Sequence, residues 1–414
     1  MKILLYSINY APEPTGTGKY NGELANWLTN QGHEVEVITS LPHYPQWKIH
    51  DKYNEKKFYY EEIDGVKIYR TPLVIQKEST INAKGRILME MSFLVYSIKY
   101  WMPILLNKKK YDVVIAVSPP LLTGIFPTLY KKFRKVPWVF HIQDLQVDAA
   151  EKLNMLKSKS LIRFLYLIEK RILSEANKIT TITEAMKKKI AKKGLKENKL
   201  SLFPNWSNVG RFSDDRMKNY YRNLWKLDSD DVLFMYAGNI GEKQGLDILL
   251  DVGKNITEKN IKIAIVGEGS GKKQLIDKAE ELNLKNIHFL NVQPVEKLPE
   301  LLAAADIHLI IQKREAGDLV MPSKLTNIVA SGKASIITAD ENTTLHNIVK
   351  EFGFGIATPS ENSQRLLEEM LKLAKETDLK RSMEDCALEY SKKYVNQNTI
   401  LKTFEQELYT MIKT

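Results

Sequence analysis

Short β-prone runs alternate with amphipathic helical stretches along nearly the whole chain, and the alternation runs through twice. Residues 2–8 are apolar and β-prone, a Pro/Gly-rich loop follows, and a helical pattern occupies about residues 20–30. Gly32 stops that helix, and EVEVIT at 34–39 makes the next strand. Further strands are expected at 112–117, 138–142, 178–183 and 199–203. Periodicity breaks over 204–222, and the pattern then restarts with strands at 232–236, 261–266, 286–290, 306–311 and 335–338. Strand–helix alternation of this kind forces parallel pairing with right-handed crossovers. The expected fold is therefore α/β, with two doubly wound Rossmann-like domains facing a central crevice. The expected boundaries are 1–205 for the first domain and 206–390 for the second, with 391–414 as a terminal helix returning to the first.

Composition narrows the class. Of 414 residues, 43% are hydrophobic and 27% charged, which excludes a mainly disordered or fibrous chain. Cys386 is the only cysteine, so there is no internal disulfide and no cysteine-cluster metal site. The first residues lack the long apolar core of a signal peptide and read as a strand. The net charge of +11 is unevenly spread. Residues 1–210 hold 33 Lys+Arg and 19 Asp+Glu, a net of +14, while 211–414 hold 28 and 31, a net of −3. The basic half is either a solvated surface or a face that meets an anionic partner, such as a membrane or nucleic acid.

One segment of that half is unusually apolar. Residues 87–106 (ILMEMSFLVYSIKYWMPILL) precede three lysines, Lys108–Lys110. Glu90, Lys99 and Pro103 make it a poor membrane span. It reads as a core-packing helix or as an interfacial helix dipping into one leaflet. The stretch 186–193 (MKKKIAKK) adds a basic helical face.

Glycine-rich loops follow key strands in both halves. PEPTGTGK at 12–19 lets backbone approach a ligand, with a helix N-terminus behind it that favours an anion. It is neither a P-loop nor a full dinucleotide fingerprint. YAGNIGEKQG at 236–245 occupies the equivalent place in the second half, with Asn239, Lys243 and Gln244 as donors. Gly267, Glu268 and Gly269 end the next strand. MPSKLTNIVASG at 321–332 sets Lys324 in the first turn of a helix, against the helix dipole, where a phosphate suits it better. Strand C-termini line one crevice in a doubly wound sheet, so these three loops read as a nucleotide-diphosphate site. In the first half, His141 and Asp144 (HIQD) end a strand, and either activate and orient an acceptor or form a buried pair. Asp148 lies one turn beyond and shares that role or caps a helix. His43, Tyr44 and Trp47 (LPHYPQW) are a sugar or polyprenyl contact, or a packed aromatic loop.

Together INYAPEPTGTGKY, LPHYPQW, HIQDLQVDA, FPNWS, GNIGEKQGL and MPSKLTN resemble GT-B glycosyltransferases of retaining family 4 over nearly the whole chain. They resemble most the branch of bacterial cell-surface polysaccharide synthesis that includes colanic-acid enzymes and N-acetyl-L-fucosaminyl transferases of O-antigen and capsule assembly. The resemblance implies that Gly16, Thr17 and Gly18 face donor phosphates and acceptor. It implies that Asn239 and Gly241 meet the diphosphate, with Lys243, Gln244 and Lys324 beside it, and that Gly267, Glu268, Gly269, Val292 and Gln293 border the base. Asn239 stands where many members have Arg, and Gln244 where they have Lys, which leaves Lys324 as the main cation. The family's glutamate pair is not intact. Asn327 holds its second position, for ribose hydroxyls, and Asp318 lies near the first, beside the transferred sugar. The implied reaction moves a sugar, such as N-acetyl-L-fucosamine or a related deoxysugar, from a nucleotide-diphosphate donor, a UDP-sugar, to a polyprenyl-diphosphate-linked saccharide with retention. Lys324, backbone N–H groups and helix N-termini would stabilise the leaving group without a metal. The expected location is cytoplasmic, peripheral on the inner face of a bacterial plasma membrane, with nucleotide-sugar, lipid-linked acceptor and anionic membrane as partners.

Two other classes remain. A nicotinamide-dependent oxidoreductase lacks the third fingerprint glycine and an acidic residue ending the second strand, where Thr39 and Ser40 stand. A nucleic-acid binder would use the +14 half, but no nucleic-acid module is visible.

Overall fold

The computed structural model describes residues 1–13, 16–44, 47–54, 57–75, 83–106, 111–152, 158–212, 219–316 and 324–413. They form two compact units, Met1–Pro204 with Ile400–Thr414, and Asn205–Thr399.

The first unit holds eight strands: β1 (Lys2–Tyr6), β2 (Glu34–Ser40), β3 (Tyr59–Ile63), β4 (Val66–Thr71), β5 (Val113–Ser118), β6 (Trp138–Ile142), β7 (Lys178–Thr181) and β8 (Leu200–Leu202). Their order is β3-β4-β2-β1-β5-β6-β7-β8, and every pair is parallel except β3–β4. That hairpin was not among the expected strands. Its two-residue turn puts Asp64 at φ 50° and Gly65 at φ 77°, the conformation for which Asp-Gly is suited.

The second unit holds six parallel strands: β9 (Val232–Ala237), β10 (Ile261–Val266), β11 (Ile287–Leu290), β12 (Ile307–Ile310), β13 (Ala334–Thr338) and β14 (Gly355–Thr358). The order is β11-β10-β9-β12-β13-β14. β14 was also missed, because GIAT is short and half-buried. In each sheet the chain starts in the middle and winds outward both ways. The reversal lies between β1 and β5 in the first sheet and between β9 and β12 in the second, and in a doubly wound sheet the strand C-termini at such a point are where a ligand crevice forms.

The last helix, Gln397–Lys413, belongs from Ile400 onward to the first unit. Phe404 stacks on Phe203 at 4.0 Å, and Glu405 meets the His33 ring at 2.6 Å. The Ala83–Leu106 helix has two apolar faces. Met89, Phe93, Trp101 and Ile104 are buried in the first core, around Tyr6 and Trp138. Ile87, Met91, Val95, Ile98, Met102 and Leu106 lie on the opposite side, 42–71% exposed. Among the described residues no helix is long and apolar enough to cross a membrane.

Candidate functional site

In the second unit the loops after β9, β10 and β11 are stitched together by main-chain bonds. Gly238 N–H donates to Val266 O (2.9 Å), Ile240 N–H to Glu268 O (2.8 Å), Gly267 N–H to Leu290 O (3.0 Å) and Gly271 N–H to Ile240 O (3.0 Å). A Cβ on Gly267 would stand 1.8 Å from Gly238 O, and one on Gly269 would stand 2.2 Å from Ile240 O. These two glycines, expected to border a base, are glycines because one loop lies directly on the other. Glu268 is exposed and paired with Lys272 (2.7 Å). Val292 is exposed, and Gln293 accepts from the Tyr221 hydroxyl (3.1 Å).

Lys324 opens the Lys324–Ala330 helix and reaches back to the end of β9. Its Nζ lies 3.8 Å from the centre of the Tyr236 ring. A Cβ on Gly238 would come within 2.8 Å of the same Nζ, so the absent side chain there is the hollow that holds the ammonium. Burial pulls its pKa down from 10.5 to about 7. Among the described residues no carboxylate forms an ion pair with it. A desolvated cation over an aromatic face, at the reversal point of a doubly wound sheet, is suited to receive an anion.

The rest of that loop is held by its own side chains. Gln244 Oε1 accepts from Gly241 N–H (3.2 Å) and from Asn239 Nδ2 (3.4 Å), and Asn239 O accepts from the Tyr236 hydroxyl (2.6 Å). Gln244 thus shapes the turn. Lys243 lies in the Glu242–Gln244 turn, but its side chain and Asp318 lie outside the described residues. Asn327 accepts from the Ser207 hydroxyl through Oδ1 (2.8 Å), leaving its Nδ2 as the group able to donate to a ligand. A polar cavity of about 320 Å³ opens beside the loop, lined by Gly241, Ser270, Gly271, Gln274 and Lys313.

In the first unit the loop after β1 is built around Glu13, which the sequence did not reveal. Its buried carboxylate accepts from His43 N–H (3.2 Å), Tyr44 N–H (3.1 Å) and Asn9 Nδ2 (2.9 Å), and burial still raises its pKa. A Cβ on Gly18 would stand 2.5 Å from that carboxylate. Gly18 therefore makes room for Glu13, while Gly16, exposed at φ 62°, and Thr17 form the open start of the Gly16–Asn30 helix. Arg70, also unanticipated, is fully buried. It pairs with Glu61 (2.5 Å) and donates to Ala11 O (2.6 Å) and Ser40 O (3.2 Å), tying the loops after β1 and β2 together.

His43, Tyr44 and Trp47 come together. The Trp47 ring lies 6.0 Å from His43 and 5.5 Å from Tyr44. Burial lowers the His43 pKa to about 4, so the ring is neutral at pH 7. Nδ1 faces Leu41 O (3.1 Å) and so carries the proton. Nε2 is buried, has no partner among the described residues, and can accept only from an incoming hydroxyl or water.

His141 and Asp144 separate in role. His141 is buried with Nδ1 on Thr180 Oγ1 (2.9 Å) and Nε2 on Gln143 Nε2 (2.8 Å), and burial lowers its pKa to about 3. Both nitrogens are spent inside the fold, so no lone pair remains for an acceptor. Its partners are a hydroxyl and an amide, where a carboxylate was the alternative expectation. Asp144 is half-buried, with its pKa raised by burial against the opposing pull of Arg86. Beside it Glu90 accepts from Gln146 Nε2 (2.7 Å) and from Arg86 (3.2 Å). This cluster was hidden because Glu90 and Arg86 belong to the long helix, far away in sequence. Asp148 is bound by Lys193 (2.5 Å), which also holds Glu169 (2.5 Å), so Asp148 and Lys193 serve an internal network.

Comparison with known proteins bears on both units. Residues 15–206 match the glycosyl transferase 4-like domain, and residues 218–389 match the glycosyl transferases group 1 domain. The chain is 35% identical over 419 aligned residues to a putative colanic acid biosynthesis glycosyl transferase, WcaI, of Escherichia coli strain K12, covering 99% of this chain and 100% of that one. Among solved structures, sucrose-phosphate synthase of Thermosynechococcus elongatus superposes with a TM-score of 0.74 at 16% identity, over 100% of this chain and 99% of that one. HepE of Anabaena, in complex with UDP-glucose, superposes at 0.69 and 13% identity, over 99% and 100%. WaaG, a glycosyltransferase involved in lipopolysaccharide biosynthesis, superposes at 0.64 and 16% identity, over 97% and 99%.

Proposed function

Because this chain belongs to the GT-B glycosyltransferases of family 4, we propose that it transfers a hexose-type sugar from a UDP-sugar to a polyprenyl-diphosphate-linked saccharide in bacterial cell-surface polysaccharide synthesis. The sugar proposed is N-acetyl-L-fucosamine or a related deoxysugar, and the polymer is a capsule, O-antigen or exopolysaccharide. The observation that carries this reading is Lys324, a desolvated cation without a carboxylate partner among the described residues, held at the end of β9 by Gly238 and Tyr236.

The chemistry follows from charge. Breaking the bond between sugar and diphosphate leaves negative charge on the departing phosphate. Lys324 Nζ neutralises it, helped by Lys243 and by N–H groups of the loop that includes Asn239 and Gly241, and the low local dielectric strengthens that attraction. No metal is needed in this scheme. Asn327 Nδ2 and Asp318 hold ribose and sugar hydroxyls, and Glu268, Val292 and Gln293 border the base. His43 Nε2 accepts a hydrogen bond from an acceptor hydroxyl beside Tyr44 and Trp47. Gly16 and Thr17, which open their helix, are assigned to binding the donor phosphates and the acceptor. Asp144, with its raised pKa, is the carboxylate suited to take the acceptor proton. Attack on the face from which the leaving group departs gives retention. The lipid anchor of the acceptor puts the working enzyme on the cytoplasmic face of the plasma membrane.

Thermal unfolding against a panel of sugar nucleotides tests the reading, since a ligand bound only by the folded state raises Tm. UDP-sugars are expected to raise Tm of the wild type, and to raise that of Lys324→Met less at the same concentration. A Tm rise with a nicotinamide cofactor and none with any sugar nucleotide would refute it.

A further inference from the structure

One cavity of the first unit takes no part in the transfer chemistry. It measures about 260 Å³ and lies between the sheet and the second half of the Ala83–Leu106 helix. Glu36 and Ile38 line it from β2, Tyr69 from β4, and Tyr100 and Pro103 from the helix, with Tyr111 just before β5. The parallel register accounts for the grouping. Glu36 stands beside Leu4 of β1, and Ile38 stands between Tyr6 and Tyr69, so alternate residues share the face that the helix covers. Glu36 and Tyr111 sit toward the N-terminal ends of their strands. Glu13, His43 and Asp144 follow strand C-termini, so the cavity is separate from the site described above.

Its walls are aromatic and its charge is negative. Among the described residues that line it, Glu36 alone is charged, and its side chain is 3% exposed. Tyr111 donates its hydroxyl to Glu36 Oε2 (2.7 Å), and the Tyr69 and Tyr100 rings lie 5.4 Å apart. Burial and the Glu36 charge push the Tyr69 hydroxyl up to about 12 and raise that of Tyr111 as well. Two lysines come near without lining the cavity. Lys2 Nζ reaches 3.9 Å from Glu36 Oε1 but is held at 2.7 Å by Glu34, and Lys99 Nζ sits over Phe58 at 3.9 Å. Burying a carboxylate is costly unless a cation meets it at close range. A carboxylate set among aromatic rings takes an organic ammonium, because the rings attract its positive charge and pack against its alkyl groups. An anion would be repelled by Glu36, and a neutral guest would leave that charge as it is. Ligand pockets begin at about 300 Å³, so the occupant is small.

We infer that this cavity binds a small organic ammonium ion, with Glu36 meeting the charge and Tyr69, Tyr100 and Tyr111 enclosing it. The site needs nothing from the proposed transfer reaction and stands or falls apart from it. An occupant bridges the Ala83–Leu106 helix to β2 and β4. The same helix carries Arg86 and Glu90, which support Gln146 and Asp144, so a bound amine braces the element behind that cluster.

The test is saturation-transfer NMR and thermal unfolding of the full chain with tetramethylammonium chloride. The controls are sodium chloride at the same concentration and tert-butanol, a neutral molecule of similar shape. Tetramethylammonium is expected to show saturation transfer and to raise Tm above the sodium control, and tert-butanol to do neither. Choline and putrescine in the same assay separate quaternary from primary amines, and binding by either supports the class. Glu36→Gln keeps the size of the side chain and is expected to weaken binding about tenfold or more. Tyr100→Leu leaves Glu36 and its bond to Tyr111 in place and is expected to weaken binding about three- to fivefold. Tyr100 is half-buried, so this second variant keeps the test open if Glu36→Gln does not fold. Three results would each overturn the inference: no binding by any of the amines, tert-butanol bound as well as they are, or a folded variant that binds like the wild type. Uridine diphosphate binding on the same samples reports on the nucleotide site alone, and its absence with ammonium binding intact counts only against the transfer reading.

Discussion

Lys324 makes the strength of nucleotide binding depend on pH in a way that few surface lysines would. In the free protein its pKa is about 7. A diphosphate set against the ammonium offsets the burial and returns the pKa toward the ordinary 10.5. Below pH 7 both free and bound forms carry the proton, and above 10.5 neither does. Between these limits only the complex carries it, so affinity falls as pH rises, by about tenfold per unit or about 1.4 kcal/mol. At pH 8.5 binding therefore takes up nearly one proton. The assay is calorimetric titration with uridine diphosphate from pH 7.5 to 9.5, in two buffers of different ionisation enthalpy. The terminal phosphate, with a pKa of about 6, is already ionised throughout this range. Lys324→Met is expected to bind about ten- to a hundredfold more weakly at pH 7.5, from the loss of a charged hydrogen bond. Its affinity should then be flat with pH. Wild-type affinity that is constant across this range, or an equal slope in Lys324→Met, would refute the reasoning.

Two more expectations follow from the site. Gly267→Ala forces a Cβ to 1.8 Å from Gly238 O, so the stitched loops must part; a loss of about 2 kcal/mol or more in urea unfolding, together with lost nucleotide binding, is expected, and full retention of both would contradict the packing. Asp144→Asn is expected to lower kcat about a hundredfold or more while uridine diphosphate affinity stays unchanged; an equal fall in both would point to damage to the fold.

The strands were readable where burial on both faces made them continuous apolar runs, as in VVIAVS of β5 and IKIAIV of β10. β3 and β4 escaped because tyrosine and glutamate dominate YYEEI, although the Asp64-Gly65 turn was in plain view. Glycine-rich loops marked the site region, but glycine alone does not say what approaches it. At Gly18 it is Glu13, at Gly267 the Gly238 carbonyl, and at Gly238 the Lys324 ammonium. Arg70 and Glu13 gave no local signal, since what makes each matter is a partner dozens of residues away and the loss of water around both. The apolar 87–106 stretch left two readings open for a physical reason: it has a core face and a bare face, and periodicity cannot separate them when both are apolar.

The return of the last helix has a consequence for how the protein is made. Phe203 stacks on Phe404, His33 holds Glu405, and Ser201 donates to Glu407 (2.8 Å). The first unit is thus assembled from two stretches separated in sequence, Met1–Pro204 and Ile400–Thr414, while the second is a single uninterrupted stretch, Asn205–Thr399. On the ribosome the unit begun first lacks this helix until residues 400–413 are made and cleared, and the unit begun second has its whole sequence earlier. A stop codon that removes residues 400–413 therefore damages the first unit.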